Sequence, residues 1–327
     1  MSSHGIPSAC FEIIAWKALA YTCFDACLLI LAYSSYSSML QLESWLAYLL
    51  WANITGFIMW ICFVLGHECS HRVMLRSPVL NDCMGLMIHG HLMVPFFGWQ
   101  KSHRLHHAFH NHKTKDRSHV WFSEQDFRSL PGAIQFFLRT PLSSIAGFSM
   151  YLYMGIQDGI HVWPLGSLFA TTRERLTCIV DDLVLVGWMY VIYTHVCSAS
   201  ATTVLWKYVV PLIIFHVWLI MVTHMQHHDE TTIVFDDNSW SHAKGALQTI
   251  DREYGFFVDR LTHHITDGHV AHHVSTKIPH YHLAEATRAL RCNPGKYKFE
   301  KTPYFLFEHM RLRWCHAHTH VQTTTVT

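Results

Sequence analysis

Three groups of histidines in this chain have the spacing of metal ligands. They are His67 and His71 in H-E-C-S-H, His103, His106 and His107 in H-R-L-H-H, and His269, His272 and His273 in H-V-A-H-H. Because residues three and four apart share a face of a helix, each box can direct two or three imidazoles at one point. Imidazole binds zinc, copper, iron and nickel. The spacing therefore predicts a metal centre built from histidine.

A fourth group, T-H-M-Q-H-H-D, ends an apolar segment and contains His224, His227 and His228. The eight histidines of the three boxes and one from this group exceed the ligand set of a single tetrahedral ion. Two metal ions that share the set are the simpler prediction. The ten cysteines include no C-x-x-C pair, which argues against a thiolate or iron–sulfur site.

Acidic residues near the boxes are expected to support the ligands, because metal-bound histidines usually donate their second N–H to a carboxylate or carbonyl. The candidates are Glu68, Asp116, Asp229 and Asp267. Isolated histidines are interpreted as structural or incidental. His224, His228, His263 and His264 stand between this class and the predicted ligands, because each neighbours a predicted ligand. The isolated ones are His4, His89, His91, His161, His195, His216, His309, His316, His318 and His320.

Two other classes of protein fit parts of this pattern. H-E-C-S-H also satisfies the H-E-x-x-H pattern of zinc proteases, in which Glu68 would be the general base and Asp267 a distant ligand. That interpretation leaves the other two boxes unexplained. A metal transporter would place its histidines within several spans near the bilayer midplane, whereas most of these histidines lie outside the apolar segments.

The composition places these histidines in a membrane protein. Half of the 327 residues are hydrophobic and 14% are charged, against roughly 25% charged in a typical soluble domain. The net charge of +1 gives no reason to expect a nucleic-acid partner. The first 15 residues contain neither a basic region nor a small-residue cleavage site, so no cleaved signal peptide is expected.

Four apolar segments approach the length of a spanning helix, which needs about 20 residues. They are Ala18–Leu40, Leu46–Gly66, Leu176–Cys197 and Leu205–Thr223. The shorter run Met84–Trp99 is broken by Pro95 and is predicted to be interfacial or re-entrant. The aromatic segment Ile134–Ala170 is predicted to form interfacial helices. The prediction is an all-α membrane protein with a single domain, residues 1–327.

Basic residues are distributed unequally around these spans. The predicted loops 41–45 and 198–205 contain no Lys or Arg, whereas the segments between the second and third spans and after the fourth contain many. By the positive-inside tendency, the basic side is cytosolic. Four spans therefore predict cytosolic termini and a cytosolic cap, residues 67–175 and 224–327, that carries all three boxes.

Strings around the second and third boxes are long and specific. The second-box strings are G-W-Q-K-S-H-R-L-H-H-A-F-H-N-H and K-D-R-S-H-V-W. The third-box strings are A-L-Q-T-I-D-R-E-Y-G, H-H-I-T-D-G-H-V-A-H-H and K-I-P-H-Y-H-L-A-E-A-T. They resemble the integral membrane fatty-acid desaturases, and among them the methyl-end (delta-12 and omega-3) enzymes of invertebrates. Nearly the whole chain takes part. It departs from the family at the first box, where Ser70 replaces a frequent glycine and Arg72 follows His71, and at His224 and His264, where many relatives have tyrosine or asparagine.

The resemblance implies a diiron centre that activates O2 and inserts a cis double bond toward the methyl end of an acyl chain. His227 joins the ligands because T-x-x-Q-H is the family's pattern after the fourth span. Carried over residue by residue, the implied iron ligands are His67, His71, His103, His106, His107, His227, His269, His272 and His273.

The resemblance also implies the partners and the location. An acyl-lipid or acyl-CoA substrate, electrons from a separate cytochrome b5 and its reductase, and an endoplasmic-reticulum membrane are expected. A separate cytochrome b5 is implied because the chain has no H-P-G-G motif and its third box begins with His269 rather than glutamine. A diverged hydroxylase, epoxygenase or conjugase of the same family is the alternative.

Overall fold

The structure is a computed structural model that describes residues 5–119, 121–155, 159–292, 297–302, 304–315 and 320–322. In this part of the chain the protein is mostly helical, as predicted. The α-helices are α1 (Ala15–Ser34), α2 (Tyr36–Leu40), α3 (Trp45–Ser70), α4 (Pro78–His91), α5 (Phe96–Phe109), α6 (Glu124–Ser129), α7 (Gly132–Arg139), α8 (Leu142–Met154), α9 (Thr172–Val191), α10 (Ala201–Thr203), α11 (Val210–His227), α12 (His242–Ala246), α13 (Phe256–Leu261), α14 (His269–Val274), α15 (Leu283–Arg291) and α16 (Phe305–Cys315).

Two short parallel strand pairs accompany the helices. Strand β1 (Ile233–Phe235) pairs with β4 (His320–Gln322), and β2 (Ile250–Glu253) pairs with β3 (Lys298–Lys301). Helices other than the α-form occur as well, as 3-10 turns at Ser8–Phe11 and His280–His282 and as π-helical turns at Ile192–Val196 and Val204–Val209.

The chain divides into two compact units. The histidine unit contains Met1–Glu12, Lys101–Gly147 and Ile220–Thr327, and the apolar unit contains Ile13–Gln100 and Phe148–Leu219. The single domain expected from the sequence stays a prediction.

Four helical segments are long and apolar enough to cross a membrane. They are Ala15–Leu40, Trp45–Ser70, Thr172–Val196 and Ala201–His227. Each overlaps one predicted span, so the prediction of four membrane-crossing helices is confirmed. The third segment begins with a capping box: Thr171 Oγ1 accepts the N–H of Glu174, and the Glu174 carboxylate accepts the N–H of Thr171.

Helix α3 forms the core of the apolar unit, where it packs against α1 and α4. Close approach of α4 requires glycine at position 66, because a Cβ there would overlap the His89 ring. The His89 ring stacks on Phe63 with centroids 4.6 Å apart, and its Nε2 lies 3.2 Å from the Phe63 carbonyl oxygen. His89 is therefore a packing residue, in agreement with its interpretation as structural.

Two acidic residues inside predicted spans have buried side chains. Asp25 is 1% exposed, as expected for a carboxylate that must face protein rather than lipid. Asp181 accepts the backbone N–H groups of Phe97 (2.9 Å) and Gly98 (3.0 Å). The first N–H groups of a helix have no partner within it, so Asp181 stabilises the beginning of α5, the helix that carries the second box.

The run Met84–Trp99 is not a continuous helix. Helix α4 ends at His91, and α5 begins directly after Pro95. Neither helix belongs to the four long apolar segments of the described residues. The break at Pro95 follows the prediction, and an interfacial position for this run stays a prediction.

Candidate metal centre

The second and third boxes meet in the histidine unit, where they form a first cluster of three histidines. His103 and His107 lie one turn apart on α5, and their Nε2 atoms are 3.1 Å apart. His272 of α14 places its Nε2 3.1 Å from that of His107. One ligand atom of each lies within 4.8 Å of the others. We name His103, His107 and His272 cluster A.

A second cluster uses the remaining histidine of the second box. His106, His227 and His273 each place a ligand atom within 4.8 Å of the others, and all three side chains are buried. We name them cluster B. His269 is not part of either triplet, but its Nε2 lies 3.1 Å from that of His227. The structure thus brings together the second box, the third box and His227.

The first box belongs to the apolar unit and lies at the end of α3. The Nε2 atoms of His67 and His71 are 3.3 Å apart, so the two rings face one point. His67 Nδ1 lies 3.2 Å from the Glu68 carboxylate. Ser70, which replaces the family's frequent glycine, donates its hydroxyl hydrogen to the His67 carbonyl oxygen at 2.6 Å. The pair is therefore intact with serine in this position.

The nitrogen atoms of cluster A have the separation that a metal ion requires. An imidazole nitrogen carries either one proton or one lone pair, so His107 Nε2 can make only one good hydrogen bond. Its Nε2 is nevertheless 3.1 Å from the Nε2 atoms of both His103 and His272. Nitrogens at about 2.1 Å from one ion lie roughly 3.0–3.4 Å from each other, which fits these distances.

The buried nitrogen atoms of cluster B also fit a bound metal ion. Both ring nitrogens of His273 are buried and have no hydrogen-bond partner among the described residues. Buried polar atoms in native proteins are almost always satisfied, so a metal ion is the natural partner here. Burial, aided by neighbouring histidines, lowers the pKa of His273 well below its usual value. Its imidazole is therefore neutral at physiological pH, which is the form that binds metal.

Asp116 supports cluster B as the sequence predicted. Its Oδ1 accepts a hydrogen bond from His106 Nδ1 at 2.9 Å, and its Oδ2 accepts the N–H of Asn111 at 3.0 Å. Burial opposes ionisation of Asp116, but the interaction with His106 keeps its pKa below the usual value. A proton held on Nδ1 leaves the Nε2 lone pair of His106 available for metal.

Two other predicted support residues bind different groups. Asp229 accepts from the Arg252 guanidinium at 3.0 Å, and Asp267 accepts from His264 Nδ1 at 3.0 Å. Neither contact involves a predicted ligand. His263 packs against His280, with ring centroids 4.8 Å apart. The intermediate histidines 263 and 264 thus have partners outside the two clusters.

Two further histidines lie beside the clusters, His110, which is buried, and His119, which is half-buried, and neither was among the predicted ligands. The His119 ring lies 4.7 Å from that of His227 and 5.1 Å from that of His106. The His110 ring lies 4.9 Å from that of His273. Burial lowers the pKa of each to about 4. His110 follows His106 by four residues, a helical spacing that signals a shared face, whereas no spacing marks His119.

His224 and His228 belong to the packing next to His119. Their rings are stacked, with centroids 4.3 Å apart and an interplanar angle of 3°. The His228 ring also stacks on Trp121 at 4.7 Å. The arrangement fills space around the candidate ligands and does not add a ligand to either cluster.

Residues 43–307 match the sequence model described as fatty acid desaturase. This chain belongs to the fatty acid desaturase family. The omega-3 fatty acid desaturase fat-1 of Caenorhabditis elegans is 39% identical over 88% of the chain and 71% of its own length. The delta(12) fatty acid desaturase fat-2 of the same organism is 33% identical over 98% of the chain and 85% of its own length.

A plant relative shows how far the similarity extends. The acyl-lipid omega-3 desaturase (cytochrome b5), endoplasmic reticulum, of Arabidopsis thaliana is 33% identical over 89% of this desaturase and 75% of its own length. The methyl-end resemblance inferred from the box strings is thereby confirmed. The protein is an oxidoreductase of the membrane desaturase class, with histidine clusters that can bind metal.

Glu68→Gln separates a desaturase from a zinc protease. In a protease, Glu68 would be the general base, and its loss would abolish turnover. In this desaturase, the Glu68 carboxylate lies 3.2 Å from His67 Nδ1, and glutamine can place an oxygen at the same position beside that nitrogen. We expect the variant to keep measurable double-bond formation, with a loss of about 10- to 100-fold, as is typical of residues that support metal ligands. Fatty-acid analysis of expressing cells measures it, and complete inactivity with normal metal content would favour the protease chemistry.

Proposed function

We propose that this desaturase inserts a cis double bond toward the methyl end of an acyl chain, at the delta-12 or the omega-3 position. The observation that carries the proposal is the pair of histidine clusters, His103, His107 and His272 and His106, His227 and His273. The names of the two nematode relatives support the choice of position.

We propose that the two clusters hold one iron ion each. His269 is assigned beside cluster B because its Nε2 lies 3.1 Å from that of His227. His67 and His71 complete the proposed ligand set on the basis of their spacing and of their facing Nε2 atoms. When bound, two irons supply the activation of O2 and the removal of two hydrogens from neighbouring methylenes, with water as the second product.

The chain's own residues prepare this chemistry in two ways. Burial keeps the imidazole of His273 neutral and ready to bind a cation. The contact between Asp116 and His106 fixes one tautomer of that ring, with its Nε2 lone pair available. Both effects are present before a cation binds, so the site loses little freedom on binding and holds a defined geometry.

Partners and location complete the proposal. The substrate is an acyl-lipid or acyl-CoA, and the electrons come from cytochrome b5 and its reductase in the endoplasmic-reticulum membrane. The printed name of the plant relative supports both cytochrome b5 and this membrane. The termini and the histidine boxes are proposed to be cytosolic, because the loops 41–45 and 198–205 contain no Lys or Arg.

Expression in a yeast that makes no polyunsaturated fatty acids tests the proposal. A new diunsaturated acid without feeding is expected for delta-12 activity, and a triunsaturated acid only after feeding linoleate is expected for omega-3 activity. Gas chromatography–mass spectrometry locates the new double bonds. A hydroxylated, epoxidised or conjugated product would replace desaturation by the alternative chemistry of the family. No new product from well-expressed, iron-loaded protein would contradict the proposal.

A further inference from the structure

The string T-I-D-R-E-Y-G contributes no residue to the two clusters, yet two of its side chains contact the helices that carry candidate ligands. Both Asp251 and Arg252 lie on strand β2 and are buried, with exposures of 0% and 2%. Buried charged groups in proteins are rare unless they are paired or hydrogen-bonded. Their partners therefore indicate what the two side chains do.

Arg252 holds the end of helix α11. Its Nε donates to the carbonyl oxygen of Met225 at 2.7 Å, and a terminal nitrogen donates to Asp229 at 3.0 Å. Met225 lies in the last turn of α11, two residues before the candidate ligand His227. Carbonyl groups in the last turn have no partner within the helix, and a cation there is favourable.

Asp251 holds the beginning of helix α14. Its Oδ1 accepts the N–H of Val270 at 2.6 Å. Val270 is the second residue of α14, directly after the candidate ligand His269. The residue before this helix is Gly268, which has no side chain to cap the free N–H groups. Asp251 supplies that cap from a distant part of the sequence.

The two contacts involve the helices that carry His227 and His269, so they bear on the distance between these two histidines. Successive side chains of a strand point to opposite faces, so Asp251 and Arg252 can hold two different helices at once. The same helices bring His227 and His269 together, with their Nε2 atoms 3.1 Å apart. A further bond joins the same segments, from Gln226 Nε2 to the Ile265 carbonyl oxygen at 2.7 Å.

We propose that Asp251 and Arg252 are positioning residues of the metal centre, which fix α14 and α11 at the separation that His227 and the third box require to bind metal. The proposal rests on the proposed metal function of these histidines. It assigns a role to a pair of residues outside the candidate ligand set. Because it concerns geometry, it predicts changes in metal affinity and ligand field in addition to any loss of activity.

Cobalt(II) binding to the full chain, purified in detergent and freed of metal, tests the proposal. Asp251→Ala and Arg252→Gln are each expected to weaken cobalt affinity, measured against a competing chelator, by about 10- to 100-fold. The visible absorption bands of bound cobalt should also shift, because they report the ligand geometry. The rise in thermal midpoint caused by cobalt should shrink in both variants, since that rise follows the affinity.

Conservative variants and a neighbouring residue provide the controls. Asp251→Asn keeps an oxygen that can accept the Val270 N–H and should restore wild-type affinity and absorption. Arg252→Lys keeps the cation without the forked geometry and should fall between the wild type and Arg252→Gln. Glu253→Gln on the same strand alters a surface ion pair with Arg291 (2.6 Å) and should leave cobalt binding unchanged.

Several outcomes would overturn the proposal. Wild-type affinity and absorption in both Asp251→Ala and Arg252→Gln would show that the pair has no positioning role. Equal losses in Asp251→Asn and Asp251→Ala would contradict the assigned hydrogen bond. If the alanine and glutamine variants fail to fold, the same comparison is made between Asp251→Asn, Arg252→Lys and the wild type. Wild-type protein that binds no cobalt would refute the metal centre itself, which separates that failure from a failure of the positioning role.

Discussion

His273→Ala is expected to abolish double-bond formation and to remove the metal from cluster B. The imidazole of His273 is the one buried group among the described ligands whose two ring nitrogens both lack a hydrogen-bond partner. Its ring lies 4.9 Å from that of His227 and 5.2 Å from that of His106. Alanine offers no nitrogen to bind the metal, so only His106 and His227 of cluster B would remain. Product analysis and metal analysis of the purified variant measure the two effects.

His309→Ala is the matched control for this experiment. His309 is also a buried histidine of the histidine unit, but its Nε2 contacts Ser144 at 3.0 Å and Arg313 at 3.2 Å. Its loss should lower thermal stability while metal content and product formation persist. Full desaturation by His273→Ala would contradict the assignment of this residue as a ligand, whatever the control shows.

Removal of metal is expected to abolish activity without unfolding the protein. A chelator for iron(II) should yield a chain that keeps its helical circular dichroism, because the four apolar helices do not depend on the clusters. The thermal midpoint should fall, since a metal that binds only the folded state stabilises it by mass action. Anaerobic addition of iron(II) should restore desaturation, and zinc should not, because zinc has no redox chemistry.

Restoration of desaturation by zinc alone would contradict the redox function of the metal. Retained desaturation after complete removal of metal would contradict a metal centre of any kind. A control at each step is the metal content of the same sample, so that activity is always compared with the ions present.

Local spacing explains why much of the site could be predicted from the sequence. His103, His106 and His107 lie on one helix, so their helical spacing predicted that they lie close together. It did not predict that His103 and His107 belong to one cluster and His106 to the other. The helices that can cross a membrane were equally predictable, because a run such as Leu46–Gly66 contains no charge. Both patterns depend on residues that are close in the sequence.

Contacts between distant segments could not be predicted in this way. Asp181 lies in an apolar helix, where its carboxylate accepts the N–H of Gly98 at 3.0 Å and caps α5. The two residues are 83 positions apart in the sequence. His119 has no periodic relation to the boxes, although its ring lies beside that of His227. Asp229 and Asp267 were expected to support ligands, but an arginine and a histidine from outside the ligand set bind them. Sequence neighbours of a ligand are not always its structural partners.

The metal content of the purified wild-type protein tests the central claim most directly. Two histidine clusters in one chain predict two iron ions per chain, measured by elemental analysis of protein purified without added metal and supported by the iron spectrum. His273→Ala should lower that number in the same measurement. One zinc ion per chain, unaffected by His273→Ala and lost in His67→Ala, would contradict the account.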